Sequence, residues 1–326
     1  MYLGIEIGGT KLQFGVGSGR GGALVALDRC DVDPARGAQG IREQIARRAR
    51  PLIDRYAVGR VGIGFGGPVD RVAGRVITSF QIRGWDGFPL CDWCQQTLGL
   101  PAVVENDSNL AGLGEACFGA GRDAKIVFYS NVGSGIGGAL VIDGALYTGG
   151  SGLAVAEVGH LRPGPDAVHP DQTVESLASG WGMAAQARAR LAAAGTQEDA
   201  AAAELLAACG GDLESLTGKM VVRAAIKGNG LAQDVFRKGL RTYGWALAQV
   251  ITLLAPNIVV IGGGVPQAGE AVFLEPLRAE VERYVMPPLG GTYRLVPAAL
   301  GEEVVVHGAL ALAAAADRRN GPACRE

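Results

Sequence analysis

Two glycine-rich turns, about 125 residues apart, hold the residues best suited to bind a phosphate group in this chain of 326 residues. The first is Gly4–Lys11 (GIEIGGTK) and the second is Asn131–Gly138 (NVGSGIGG), and each lies between two apolar runs. Glycine lets main-chain N–H groups approach an anion, because no Cβ stands in the way. One such turn also fits an ordinary hairpin. Two turns in equivalent places of two chain halves predict a duplicated fold that closes on a phosphate from both sides.

The first turn offers a donor set that suits a triphosphate. It provides main-chain N–H groups at Gly8, Gly9 and Thr10, the Thr10 hydroxyl and the ammonium group of Lys11. Glu6, in the strand before the turn, could hold a magnesium ion through water, since Mg²⁺ keeps much of its hydration shell. Taken alone, the segment also fits a solvent-facing hairpin with a glutamate at its edge.

A candidate general base follows a predicted strand, in the segment Glu105–Asn109 (ENDSN). Asp107 or Ser108 is placed to cap the next helix, the usual role of these residue types. A carboxylate at the end of a strand is also where a base for a hydroxyl group would lie. An unperturbed Asp suffices there, because phosphoryl transfer depends mainly on positioning. The spacing leaves both roles open for Asp107.

Two further segments contain side chains that could bind a polyol. They are Ala156–His160 (AEVGH) and Glu175–Gly180 (ESLASG). Glu157, His160 and Glu175 can each pair with a sugar hydroxyl, and a site that pairs every hydroxyl rejects analogues that lack one. Without context, the same residues fit a loop whose polar groups are satisfied within the protein.

The elements that must position these residues alternate between strand and helix. Apolar runs predict strands at Tyr2–Ile7, Lys11–Gly17, Ala23–Asp28, Val61–Phe65, Val76–Thr78, Ala102–Glu105, Lys125–Ser130, Ala139–Ile142 and Ile258–Ile261. Helices are predicted at 41–56, 91–98, 108–118, 181–194, 198–208, 231–254, 270–284 and 309–318.

This order predicts two α/β domains with mixed sheets and a cleft between them. Their expected limits are 1–120, joined by the C-terminal helix 308–320, and 121–307. Ligands of open α/β sheets bind beyond the carboxyl ends of strands. The third glycine cluster, Gly262, Gly263 and Gly264, follows such an end. The ligand is therefore expected in the cleft.

Composition excludes several classes of function. The chain has 30 Lys and Arg against 32 Asp and Glu, a net charge of −2, which predicts neither a nucleic-acid surface nor a membrane-seeking face. Its apolar stretches are too short to span a bilayer. Six cysteines form no metal or disulfide pattern, and the lone pair Cys91 and Cys94 has no second pair. A first strand at Tyr2 leaves no room for a signal peptide, so a cytoplasmic protein is expected.

Together the motifs resemble those of the ROK family of sugar kinases and repressors, within the actin-like ATPase superfamily. The resemblance spans nearly the whole chain in the family's order. It rests on Gly4–Lys11, Gly62–Pro68, Asn106–Asn109, Gly133–Gly138, Glu157–His160, Glu175–Gly180 and Pro256–Gly264. It implies an α/β fold of duplicated actin-like (ribonuclease H-like) domains with mixed sheets and an interdomain cleft.

The resemblance also implies a role for each candidate residue. Asp107 would take the proton from the sugar hydroxyl that attacks the γ-phosphate of ATP. The implied sugar ligands are Asn106, Gly67, Glu157, His160 and Glu175. The implied phosphate and nucleotide contacts are Gly8, Gly9, Thr10, Lys11, Gly133, Ser134, Gly135, Gly262, Gly263 and Gly264. Magnesium bound with ATP is the expected cofactor, the hexose and ATP are the expected partners, and a homodimer is the expected assembly.

Three positions depart from the family's pattern. The segment between His160 and Glu175 holds no cysteine, although the family usually places zinc ligands there, so no structural zinc is expected. Glu6 stands where Asp is common, and Ser134 stands where Thr is common.

The activity expected from the resemblance is that of a glucokinase, which transfers the γ-phosphoryl group of ATP to the 6-hydroxyl of a hexose. Fructokinase is an alternative because of Glu6, and N-acetylhexosamine kinase is another. A catalytically weak sugar sensor is the non-enzymatic alternative. A repressor is not expected, because the first phosphate turn begins at residue 4 with no DNA-binding segment before it. The sequence leaves ATP and polyphosphate open as donors.

Overall fold

A computed structural model describes residues 1–152, 155–193 and 200–320 of the chain. The chain divides into two compact units. The first unit comprises 1–129, 139–155 and the segment from 298 onward, and the second comprises 130–138 and 156–297. The domain limits expected from the sequence differ from these and stay a prediction.

The first unit is built on a five-stranded mixed sheet with the order β3-β2-β1-β4-β7. Its strands are β1 (Tyr2–Ile7), β2 (Lys11–Gly17), β3 (Ala26–Asp31), β4 (Arg60–Phe65) and β7 (Ala102–Asn106), and β5 (Val69–Asp70) with β6 (Arg75–Val76) forms a separate small hairpin. β1, β2 and β3 pair in antiparallel fashion, whereas β1, β4 and β7 run parallel. The carboxyl ends of β1, β4 and β7 therefore meet at one edge, where Ile7, Phe65 and Asn106 lie in register.

Helices cover this sheet and complete the first core. They are α1 (Gly37–Tyr56), α2 (Leu90–Leu98), α3 (Asp107–Phe118) and α10 (Val304–Asn320), and α10 packs against α3, β1 and β4. The packing is close enough to require glycine in the strands, since a Cβ at Gly62 would collide with the main chain of Ala309. The core beneath α1 is built from fully buried side chains such as Leu3, Phe14 and Ile45.

A second five-stranded sheet has the order β10-β9-β8-β11-β12. Its strands are β8 (Ile126–Val132), β9 (Ile136–Ile142), β10 (Ala145–Leu146), β11 (Ile258–Gly262) and β12 (Arg294–Pro297). The helices of the second unit are α4 (Val174–Ala178), α5 (Gly180–Ala193), α6 (Ala200–Ala208), α7 (Gly218–Ile226), α8 (Gly230–Leu254) and α9 (Glu275–Tyr284), the last preceded by a π-helical turn at Glu270–Leu274. The long helix α8 is the centre of this unit and packs against α4, α7 and α9.

The prediction of an α/β fold with mixed sheets is confirmed, and so are most of the elements. The third strand begins at Ala26 rather than Ala23, because Gly21 and Gly22 adopt positive φ and turn the chain before it can pair. The last helix begins at Val304, five residues before the predicted start, since the β-branched run that opens it does not favour a helix on propensity alone. The short elements β5, β10, β12, α4 and α7 were not predicted. Residues 194, 198 and 199 of two predicted helices lie outside the described residues.

None of the helices in the described part of the chain combines the length and the apolarity that a membrane crossing demands.

Candidate functional site

Asp107 is the first residue of α3 and follows directly on β7. The helix cap is neither Asp107 nor Ser108, as the sequence suggested, but Asn106. The Asn106 side-chain oxygen accepts from the main-chain N–H groups of Ser108 at 2.9 Å and Asn109 at 3.3 Å. Because Asn106 takes this role, the Asp107 carboxylate is not the residue that caps the helix.

The Asp107 side chain is half-buried, and one of its carboxylate oxygens accepts a hydrogen bond. Its Oδ1 accepts from the Ser108 N–H at 2.7 Å. Burial raises the pKa of Asp107 above its usual value, and the hydrogen bonds from Ser108 and Asn106 only partly oppose this. A raised pKa makes the carboxylate a better proton acceptor than an ordinary surface Asp.

The turn after β4 completes the surroundings of this carboxylate. A Cβ at Gly66 would lie 3.4 Å from Asp107 Oδ2, which places this turn next to the carboxylate. The Gly67 carbonyl accepts from the Asn106 amide at 3.2 Å, and the Gly66 N–H donates to the Ile7 carbonyl at 2.9 Å. The structure thus brings Gly67, Asn106 and Asp107 together at the carboxyl ends of β4 and β7, and their roles stay a prediction.

The first phosphate turn lies at the same edge of the sheet. The Gly8 N–H donates to the Lys11 carbonyl at 3.1 Å, which closes the turn. Neither Gly8 nor Gly9 has positive φ; glycine is needed at position 9 because a Cβ would collide with Gln81. The Thr10 side chain is exposed, and the Lys11 ammonium lies 3.7 Å from the Glu302 carboxylate.

Glu6 lies at this edge, close to two other carboxylates. Burial raises its pKa, and the nearby Asp107 and Glu302 carboxylates raise it further, while Lys11 and a hydrogen bond from Gln13 lower it. A cation would relieve this excess of negative charge. Because Mg²⁺ accepts one carboxylate together with several waters, Glu6 fits the magnesium role predicted for it.

The second phosphate turn, in the second unit, is anchored to the start of α5. The carbonyls of Gly133 and Ser134 accept from the N–H groups of Gly180 at 2.8 Å and Trp181 at 3.0 Å. The Gly133 N–H donates to the Gly135 carbonyl at 2.9 Å, and the Ser134 side chain is exposed. A Cβ at Gly180 would lie 2.9 Å from the Gly133 carbonyl oxygen, so glycine allows this close approach.

Glu175 contacts this same turn. Its Oε2 accepts from the Ile136 N–H at 2.6 Å, and a Cβ at Gly135 would lie 2.6 Å from that oxygen. The sequence predicted Glu175 only as a sugar ligand. Its contact with a turn 39 residues away left no signal that sequence reasoning could use.

Glu157 and His160 flank a 3₁₀ turn, Val158–His160, and both side chains are exposed. A Cβ at Gly159 would collide with the Ile136 carbonyl, so glycine brings this turn against β9. Ile136 therefore contacts Glu175 through its N–H and Gly159 through its carbonyl. Glu175 and the turn that carries His160 therefore both lie against Ile136.

The third glycine cluster follows β11 in the same unit. Gly263 has φ of 97° and a Cβ there would collide with the Val132 carbonyl, which places the cluster beside the end of β8. Gly262 ends the strand and Gly264 precedes a 3₁₀ turn at Val265–Ala268. The cluster and the second phosphate turn are thus neighbours.

The family model of the ROK family matches residues 2–316 of the chain. This chain belongs to the ROK family. The family resemblance expected from the motifs is confirmed.

Three relatives place this ROK protein among proteins described as glucokinases. It is 32% identical to a glucokinase of Thermotoga maritima over 95% of this chain and 96% of the relative. It is 33% identical to a glucokinase of Streptomyces coelicolor over 96% and 97% of the two chains. A solved ROK family glucokinase of Streptomyces griseus, in complex with glucose and AMPPNP, is 33% identical with a TM-score of 0.78, over 98% of this chain and 99% of that one.

One polar residue of the ROK protein's site segment was missed by sequence reasoning. Glu105 is 3% exposed, and its Oε1 accepts from the Asn106 N–H and the Asn109 side-chain amide, both at 3.0 Å. Its other oxygen lies 3.6 Å from the Arg71 guanidinium. A buried carboxylate that holds both asparagines fixes the segment in which Asp107 lies. The partner, Arg71, is 34 residues away in the sequence, so the spacing gave no signal.

Within the described residues, no group of three or more His, Cys, Asp or Glu side chains is arranged to hold a metal ion. The role of Glu6 as a magnesium ligand through water stays a prediction. Cys91 and Cys94 are free thiols, and burial raises the pKa of Cys91 to about 12.

Proposed function

We propose that this protein is an ATP-dependent hexose kinase that phosphorylates glucose at its 6-hydroxyl group. The observation that carries the proposal is the full-length similarity to the Streptomyces griseus glucokinase, whose structure holds glucose and AMPPNP. Similarity at this identity over nearly the whole of both chains supports a sugar kinase rather than a protein that shares only the fold. The presence of Asp107 and of both phosphate turns supports an active enzyme rather than a sugar sensor.

Asp107 is the proposed general base. Its carboxylate would accept the proton of the attacking sugar hydroxyl, and the bond from the Ser108 N–H to Oδ1 fixes the orientation of the carboxylate. Burial raises its pKa, and a carboxylate with a raised pKa is a stronger base. A base of this kind contributes about 10²- to 10⁴-fold in rate.

The proposed sugar ligands are the polar groups beside Asp107 and those of the two downstream segments. Asn106 and the Gly67 carbonyl would bind the sugar beside Asp107, and Glu157, His160 and Glu175 would pair with further hydroxyls. Ligands that pair each hydroxyl set specificity, because an analogue lacking one leaves a polar group unsatisfied.

The proposed nucleotide contacts are mostly main-chain groups of the three glycine-rich segments. Gly8, Gly9 and Thr10 of the first turn and Gly133, Ser134 and Gly135 of the second would bind the phosphates, aided by Lys11. Gly262, Gly263 and Gly264 would lie against the adenosine. Magnesium bound with ATP would neutralise charge on the phosphates, and Glu6 is the residue proposed to hold it through water.

We propose that the protein is a homodimer and acts in the cytoplasm. The assembly is proposed because of the family resemblance. Sedimentation equilibrium on the purified full chain tests the assembly, because a dimer has twice the mass of the 33.5 kDa chain. A species of one chain mass over the whole concentration range would contradict it.

The test of the proposed activity is release of ADP from ATP and Mg²⁺ in the presence of single sugars. The panel contains glucose, fructose, mannose, N-acetylglucosamine and N-acetylmannosamine. We expect the highest kcat/KM with glucose. Highest kcat/KM with fructose would instead support the alternative that Glu6 suggests. No ADP release with any sugar, while glucose still binds, would favour a sugar sensor.

A further inference from the structure

We propose that a pocket in the first unit binds a small organic phosphate, apart from the residues to which phosphoryl transfer is assigned. The pocket has a volume of about 830 Å³ and lies between the C-terminal parts of α3 and α10, the β10 segment and the turn at Gly19. Its lining residues on α3 begin six residues after Asp107, which is about 9 Å along the helix axis.

The charge of the pocket points to an anion. Arg20, Arg71 and Arg318 line it, and the described residues that line it include no carboxylate. A guanidinium group presents paired N–H donors that match the oxygens of a phosphate. Three such groups around one concavity concentrate positive potential and attract a ligand with more than one negative charge.

The remaining surface of the pocket points to an organic part on that anion. Leu113, Phe118, Ala311, Leu312 and Ala315 form apolar lining. A volume of about 830 Å³ is in the range of pockets that bind small organic molecules. A phosphate ester can place its charge on the arginines and its apolar part on the helices.

The turn that carries Arg20 is fixed by close packing against α3 and α10. Gly19 has φ of 66°, and a Cβ there would lie 2.6 Å from the Ala314 side chain. Gly21 has φ of 88°, and a Cβ there would lie 3.0 Å from the Phe118 ring. Both glycines let the turn pack closely against α3 and α10, so the pocket exists before any ligand arrives.

Arg71 connects the pocket to the segment that contains Asp107. Its guanidinium lines the pocket and lies 3.6 Å from the Glu105 carboxylate, which in turn holds Asn106 and Asn109. A phosphate in the pocket competes with Glu105 for Arg71. Since Glu105 is buried, it depends on that counter-charge, and we infer that an occupied pocket weakens sugar binding. This second step rests on the proposed kinase function.

Binding is tested by calorimetric titration of the full chain with phenyl phosphate, which needs no turnover. The variants Arg20→Gln and Arg318→Gln change exposed side chains and keep the fold. Each should weaken binding at least about tenfold, because a hydrogen bond to a charged group is lost. Arg223→Gln, an exposed arginine of α7 in the other unit, is the matched control and should bind as the unchanged chain does.

Three results would overturn the pocket as a phosphate site. One is no heat of binding at millimolar phenyl phosphate. Another is binding that the Arg20 and Arg318 variants leave unchanged, as expected if the probe binds only at the phosphate turns. The third is equal affinity for inorganic phosphate, which would remove the role of the apolar lining.

The link to the sugar is tested in the ADP-release assay. Phenyl phosphate should raise KM for glucose in the unchanged chain, and the effect should vanish in Arg20→Gln and Arg318→Gln. An effect that persists in both variants, or no effect where calorimetry detects binding, would overturn the link while leaving the binding site standing. A chain that binds the probe but phosphorylates no sugar would contradict the proposed function instead.

Discussion

At the scale of single residues, Asn106 and Glu105 carry the structural roles in this segment, which leaves the Asp107 carboxylate for catalysis. Asn106 caps α3, and the Glu105 carboxylate accepts hydrogen bonds from Asn106 and Asn109. Asp107 is therefore needed neither to cap the helix nor to fix this segment. What remains is a half-buried carboxylate with one oxygen bonded to Ser108. Its desolvation costs folding free energy and raises its pKa. A group kept at such a cost is typical of a functional site.

The raised pKa of Asp107 predicts the pH dependence of the reaction. The base acts only when ionised, so kcat/KM should be full above the raised pKa and should fall as pH drops through it. Because burial raises this pKa, the fall should occur at a higher pH than an ordinary Asp would give. The measurement is kcat/KM for glucose against pH, with circular dichroism to verify folding. Constant kcat/KM down to the ordinary pKa of Asp, in a folded protein, would contradict the prediction.

At the scale of elements, the second phosphate turn and the sugar segment share one carboxylate. Glu175 accepts from the Ile136 N–H beside the turn, although the family resemblance assigns it to the sugar. The two roles are compatible because a carboxylate has several lone pairs. The short helix α4 that carries Glu175 begins with a capping box between Thr173 and Ser176, which fixes its position.

Two substitutions of Glu175 separate these roles. Glu175→Ala should raise KM for both ATP and glucose, since it frees the turn and removes a sugar ligand. Glu175→Gln keeps an oxygen that can accept from Ile136, so KM for ATP should recover while KM for glucose stays raised. The measurement is steady-state ADP release with each substrate varied in turn. Equal recovery of both KM values in the Gln variant would argue against the sugar role.

The far end of α3 depends on a second carboxylate, Glu115, which is fully buried. Its oxygens accept from the main-chain N–H groups of Ala120 at 2.7 Å, Ala299 at 2.9 Å and Leu300 at 2.8 Å. These bonds join the end of α3 to the segment that leads into α10. The helix that carries Asp107 is thus fixed at both ends.

Glu115→Ala should therefore destabilise the fold strongly. An unsatisfied buried N–H costs about 1–3 kcal/mol, and because Ala120 and Leu300 are half-buried and Ala299 is exposed, we expect a total loss of about 1–3 kcal/mol. Glu115→Gln keeps one oxygen acceptor and should lose less. The measurement is the urea midpoint of unfolding, with the exposed Glu275→Ala as control. An unchanged midpoint in the Ala variant would contradict this account of α3.

At the scale of the whole molecule, the sequence predicted most of what local patterns determine. The apolar runs predicted most of the strands, and the two glycine turns lie where they were predicted, one after β1 and one after β8. Contacts between distant residues could not be predicted. Arg71 with Glu105 and Glu175 with Ile136 depend on the completed fold. The cap was also misjudged, because three adjacent residues of suitable type compete for it and only backbone geometry decides.

The lack of cysteines between His160 and Glu175 predicts how the whole enzyme responds to chelators. A zinc-selective chelator, in excess Mg²⁺, should leave both activity and thermal unfolding unchanged, because a structural zinc site needs about four ligands. The measurement is ADP release and the unfolding temperature before and after dialysis against the chelator. A large loss of either would reveal a zinc site and contradict the prediction.

The most direct test of the central claim is a comparison of Asp107→Asn with the unchanged chain in glucose binding and in ADP release. Asn keeps the oxygen that accepts from Ser108 and removes a desolvated charge, so the variant should fold at least as stably. Asp92→Asn, an exposed carboxylate in the first turn of α2, is the matched control. We predict that Asp107→Asn binds glucose with similar affinity and loses about 10²- to 10⁴-fold in turnover. Turnover within about tenfold of the unchanged chain would contradict the assignment of Asp107 as the base.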